Sequence, residues 1–262
     1  MHTNPLIGSW FWFLSFVLVG ADIIIVSVLL FGVHRALLGL GRTKADRVRI
    51  VSTLGIVLFG WLVLALFLGW QGIFSSALNQ PVPYIALAIG IPILVGALFI
   101  RGSKQIREII AAVPQSQLVA FRFYRVLGVT FLVLYAAGQL PGIFALPAGW
   151  GDVMVGLTAL MVGARAARSE NDQLVTLWNW FGISDLVIAT ATGFLSAPTR
   201  FQIFSLDAPN VLIGSFPLVM IPIFAVPLSI VLHLASLSKI WAAHRSRSSP
   251  FSSQLVSLPE FR

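Results

Sequence analysis

Residues 121–152 read FRFYRVLGVTFLVLYAAGQLPGIFALPAGWGD. Arginines at 122 and 125 open an apolar run, a Pro/Gly-rich turn follows, and a second apolar run is entered through Asp152. Two long apolar segments joined by so short a turn read as a helical hairpin whose solvent is lipid. The rest of the chain has the same texture. It is 58% hydrophobic and only 10% charged over 262 residues, where a soluble domain carries roughly 25% charged residues. Too few polar residues are present to cover a water-facing surface.

Working outward from the hairpin, seven apolar segments are long enough to span, at about 20 residues each. They lie near 10–33, 50–70, 84–100, 119–139, 149–165, 176–196 and 212–238. Uniformly apolar runs of this length favour a helical bundle over a barrel of alternating strands. Residues 1–9 carry no Lys or Arg, and the apolar run from Trp10 to Val33 is too long for the core of a cleavable signal, so it reads as the first span.

The basic residues set an orientation. Alternate connections (34–49, 101–125, 165–175 and the tail from 239) hold 16 of the 17 Lys and Arg, and Arg200 alone lies on the other side. By the positive-inside rule the N-terminus is outside and the C-terminus cytoplasmic. The expected fold is therefore an all-α integral membrane protein, a seven-transmembrane-helix bundle. Its domain covers residues 1–240, and 241–262 forms a short, Ser-rich, disordered cytoplasmic tail. Residues 34–49 read as a basic connection at the headgroups. The net charge of +8 belongs to these connections and implies no nucleic-acid partner. The partner is the bilayer, with a small-molecule ligand inside it. Oligomeric state is not encoded legibly.

Chemistry is bounded by what is missing. With no cysteine there are no disulfides, thiolate metal sites, iron–sulfur clusters or cysteine nucleophiles. The glycine-rich places Gly39–Gly41 and Gly149–Gly151 lack the lysine of a phosphate loop. No metal-ligand spacing is present, and no cofactor is indicated.

Candidate function rests on polar residues inside the spans. A carboxylate at a helix centre costs about 2.5–3.5 kcal/mol on insertion scales and usually faces a bundle interior. Asp185 lies mid-way along span six, on a stripe with Trp178, Gly182, Ala189, Thr192 and Ser196. Asp152 opens span five on a stripe with Gly156, Ala159 and Gly163. Small residues at that spacing mark close helix packing, and an aspartate in a first turn also complements the helix dipole. Arg122 reads as a snorkelling residue at the cytoplasmic interface. Arg125, a turn deeper, is the natural partner for a carboxylate. Asp22 sits at the centre of span one and must find its partner on another helix, with Arg125 or Asp185 as options. Asn179 and His233 fall in the inner third, Tyr135 and Gln139 towards the outside. Three prolines, 217, 222 and 227, break span seven, whose polar face reads Ser215, Pro222, Ser229, His233, Ser236. Together these form a polar file suited to ligand binding or a proton relay. The orientation places Arg125 near the inner face and Asp152 near the outer, so the two are not expected to pair within the hairpin.

Seven spans with an external N-terminus resemble the layout of microbial rhodopsins, but span seven lacks the mid-helix lysine that binds retinal. A b-type haem finds only His34 and His233 as ligands. Gly149-Trp150-Gly151-Asp152 resembles the GxGD pattern of intramembrane aspartyl proteases, which implies two aspartates sharing a proton. Here the partner would be Asp22 or Asp185, and no Pro-Ala-Leu motif accompanies it. The reading is a multi-pass inner-membrane protein that binds or transports a small solute, with proton coupling, through a polar intramembrane site. The alternatives are a GxGD-type enzyme and a non-catalytic complex subunit. The balance leans away from an enzyme.

Overall fold

The computed structural model describes residues 9–75, 84–168, 172–204 and 210–247. The regular structure among them is entirely helical. In chain order it comprises α1 (Ser9–Gly39), α2 (Lys44–Trp70), α3 (Tyr84–Gly102), α4 (Lys104–Ala112), α5 (Gln115–Ala120), a 3₁₀ segment (Phe121–Gly128), α6 (Val129–Ala136), α7 (Gly142–Arg168), α8 (Asp172–Ser196), a 3₁₀ turn (Leu212–Gly214), a π segment (Ile221–Ala225) and α9 (Val226–Arg247). Seven helices are long and apolar enough to cross a membrane: α1, α2, α3, the composite Gln115–Ala136, α7, α8 and Ile221–Arg245. Large apolar side chains such as Phe16 and Ile56 face outward, 81% and 75% exposed, a surface compatible with lipid rather than water. The helix Ile221–Arg245 is the centre of the bundle, with two-thirds (67%) of its most apolar stretch buried, while α3 is peripheral, with 6% of the corresponding stretch buried.

Several boundaries differ from those expected. α1 continues to Gly39 and α2 begins at Lys44, so the basic connection drawn at 34–49 shrinks to a turn. Gly41 turns the chain at φ +64°, and Thr43 caps α2 by accepting from the Asp46 N–H. The connection expected after span three folds into α4, capped by Ser103. Ile109 of α4 is buried against Val33, Leu37 and Ile50, and Arg42 pairs with Glu108 at 2.6 Å. The last helix does not start at 212. Pro217 and Pro222 lack the N–H that a continuous helix would need, and regular helix begins only at the π segment. There the Val226 N–H reaches five residues back to the Ile221 carbonyl. α9 runs to Arg247, past the expected domain limit at 240. The remainder of the expected tail, from 248, lies outside the described residues.

The hairpin of residues 121–152 carries the most consequential difference. α7 starts at Gly142, directly after Pro141, whose carbonyl accepts from Ala145 N at 2.9 Å. Pro147 is accommodated inside the helix, near its N-terminal end. Asp152 is therefore not in a first turn but about 15 Å into the helix.

Candidate functional site

Span four supplies the cation. A 3₁₀ helix has three residues per turn, so positions i and i+3 eclipse. In the segment Phe121–Gly128 this stacks Arg122, Arg125 and Gly128 on one buried face. An α-helix would rotate Gly128 away from Arg122. That face meets the small-residue stripe of α7. A Cβ added at Gly156 would lie 2.6 Å from the Val126 backbone nitrogen, and one at Gly163 2.9 Å from the Ser116 carbonyl. The stripe Asp152, Gly156, Ala159, Gly163 is thus a packing face, and it brings Asp152 level with Arg125. The two residues stand at nearly equal chain distances from the turn at 137–141, so an antiparallel hairpin places them side by side.

Arg125 joins three helices. Its Nε donates to Asp152 Oδ1 at 2.6 Å, and its Nη2 donates to Asp185 Oδ2 on α8. Nη1 donates to the Gly182 carbonyl at 3.2 Å and faces His233 Nε2 at 3.4 Å. The expectation that the arginine and aspartate ends of the hairpin lie too far apart to pair is overturned. It followed from starting span five at 149 instead of Gly142. Three glycines make the space: a methyl group at Gly128 would overlap Asp152, one at Gly151 would overlap Asp185, and one at Gly182 would lie 2.6 Å from His233 Nε2.

A polar chain continues towards the basic end of the bundle. His233 Nδ1 lies 2.8 Å from Asn179 Oδ1. The Asn179 amide nitrogen donates to the Val175 carbonyl and to Ser236 Oγ at 2.8 and 2.9 Å. With that amide orientation fixed by its donors, Asn179 Oδ1 is an acceptor, so Nδ1 of His233 carries the proton and Nε2 offers its lone pair to Arg125. Gln115 Nε2 donates to Ser236 Oγ at 2.7 Å. His233, Asn179 and Ser236 are fully buried.

Arg122 does not snorkel. It is fully buried, donates to the Leu118 carbonyl through Nη1 and lies over the Trp178 ring at 5.7 Å. Its Nε and Nη2 have no hydrogen-bond partner among the described residues. Asp22 is 4% exposed and lines a cavity of about 40 Å³ with Tyr124, Arg125, Asp152 and Ser229. Tyr124 Oη and Ser229 Oγ are 2.6 Å apart on that wall. Asp22 forms neither of the pairings considered for it. Tyr135 and Gln139 are exposed and stand apart from the group. Sequence reasoning missed Gln115, Tyr124 and the Trp178–Thr158 bond at 3.0 Å. Nothing in the local pattern distinguishes Tyr124 from other aromatic residues.

A second, larger cavity of about 430 Å³ lies between α3 and α8, backed by the π segment. Tyr84, Ile89, Phe131, Phe144 and Phe194 are among its walls, and Asp152 is its only charged lining residue among those described. Asp152 thus borders both cavities. No group of three or more His, Asp and Glu side chains among the described residues is placed to hold a metal ion.

A family model described as Domain of unknown function (DUF8737) matches residues 82–241. The chain belongs to this DUF8737 family. No curated protein and no solved structure matches it. Arg125, Asp152, Asp185, Asn179 and His233 all fall inside the DUF8737 segment, and so does the stretch from α3 into α9. Asp22 comes from α1, outside it.

Proposed function

We propose that this DUF8737 protein is a multi-pass membrane protein of the bacterial inner-membrane type that binds a small solute in the α3–α8 cavity and moves it across the bilayer. The N-terminus is outside and the C-terminus cytoplasmic, a reading supported by the basic bias of alternate connections. The observation that carries the solute reading is the placement of Asp152. It is the charged residue on the wall of an apolar chamber of drug-like size, and it is wired through Arg125 and His233 to a polar chain leading to Gln115. Such a wire is a route by which protonation could couple to occupancy.

The GxGD-type alternative draws no support from the geometry. Two aspartates that share a proton must face one another across it, whereas here the Arg125 guanidinium bonds both Asp152 and Asp185. The subunit alternative has no specific observation in its favour.

Native mass spectrometry of protein purified from its own membrane tests the solute reading. Wild type should carry a small molecule, and Thr190→Trp, which fills the chamber, should lose it. Identical spectra for the two, or occupancy that survives Thr190→Trp, would refute the reading.

A further inference from the structure

We infer that the occupant of the α3–α8 cavity is a lipophilic cation: an apolar, ring-bearing body with a protonated amine. This deepens the solute reading and rests on it. Asp152 Oδ1 is committed to Arg125 Nε, and among the described residues none donates a hydrogen bond to Oδ2. The side chain keeps 14% of its surface accessible, and it lies on the chamber wall. A carboxylate with one uncommitted oxygen bonds an N⁺–H donor more strongly than any neutral donor.

The local charge points the same way. Arg125 is the single guanidinium serving both Asp152 and Asp185. Asp22 lines the small cavity beside the same polar group. An anionic headgroup would meet the Asp152 carboxylate on the wall, and a neutral one would gain only an ordinary hydrogen bond. The aromatic walls, Tyr84, Phe131, Phe144 and Phe194, suit a ring-bearing body and present faces that attract a cation.

Three probes with one body and three heads test this: 4-phenylbutylamine, 4-phenylbutanol and 4-phenylbutyrate. Saturable binding to wild-type protein in lipid nanodiscs is measured by calorimetry against empty nanodiscs. The amine should bind about tenfold or more tighter than the alcohol, and the carboxylate should show no saturable binding. In Asp152→Asn the amine should fall to the level of the alcohol, and in Thr190→Trp all binding should vanish. Equal binding of amine and alcohol, preference for the carboxylate, or an amine preference that survives Asp152→Asn would overturn the cationic class while leaving the chamber a site. No saturable binding of any probe to wild type would overturn the solute reading as well. If Asp152→Asn does not fold, the wild-type ranking alone decides.

Discussion

At the scale of single residues, two buried arginines one 3₁₀ turn apart have opposite circumstances. Arg125 has two carboxylates, a carbonyl and an imidazole around it. Arg122 has one carbonyl and an aromatic face, with two donor atoms unpartnered. Breaking a buried ion pair from one side leaves an uncompensated charge, whereas replacing a poorly satisfied charge by an apolar side chain of similar volume is often neutral or stabilising. Arg122→Met should therefore leave stability unchanged or raise it, measured by unfolding in a detergent titration. A loss of more than about 2 kcal/mol would mean that Arg122 has a partner the geometry does not reveal. The glycines are a second residue-scale case. Gly128→Ala puts a methyl group into Asp152, so overpacking should cost about 1–3 kcal/mol. Gly60→Ala, where no atom lies within 4 Å of the new Cβ, should be neutral in the same assay. Equal effects at the two positions would show that the Gly128–Asp152 contact is not tight.

At the scale of elements, the contact between span four and α7 was legible and the pairing across it was not. Gly156, Ala159 and Gly163 recur at helical spacing among large apolar residues, and that pattern alone marks a close-packing face. The register along the face depends on where α7 begins. Pro141 and Pro147 look like two breaks in the sequence, yet the first stands just before the helix and the second is tolerated near its N-terminal end, where few upstream turns are left to disturb. Starting the helix at Gly142 moves Asp152 inward by about two turns and alongside Arg125. The 3₁₀ winding of 121–128 was equally hidden, since no local propensity separates it from α-helix. A wedge on this face should be costly: Gly156→Val should destabilise by about 1–3 kcal/mol, because its Cβ meets span-four backbone. Leu160→Ala, on the outward face and 49% exposed, should change stability by less than about 0.5 kcal/mol. Thermal unfolding in nanodiscs distinguishes them, and similar losses for both would contradict the assigned faces.

At the scale of the whole molecule, seven apolar helices were predictable because lipid demands long uninterrupted runs, and composition alone carries that demand. Which helix is central was less so. The last helix has no more apolar character than the first, and only the packing of Ser229, His233 and Ser236 against the other spans places it in the middle. Orientation rests on charge, and the absence of cysteine makes it directly measurable. With a membrane-impermeant maleimide, Arg200→Cys should label in intact cells and Leu40→Cys only after permeabilisation, both being exposed. The reverse pattern would invert the topology and with it the direction of the polar chain.

The central claim is that Arg125 holds Asp152 and Asp185 as one buried group joining span four, α7 and α8. A thermodynamic cycle tests it most directly: unfolding free energies of wild type, Arg125→Met, the double variant Asp152→Asn/Asp185→Asn, and the triple variant combining them. Arg125→Met alone should cost about 3–5 kcal/mol, because two buried carboxylates lose their counter-charge. The triple variant should cost less than Arg125→Met does, since no charge is left stranded. Strictly additive losses, or a cost for Arg125→Met below about 1 kcal/mol, would show that the three side chains do not act as a unit.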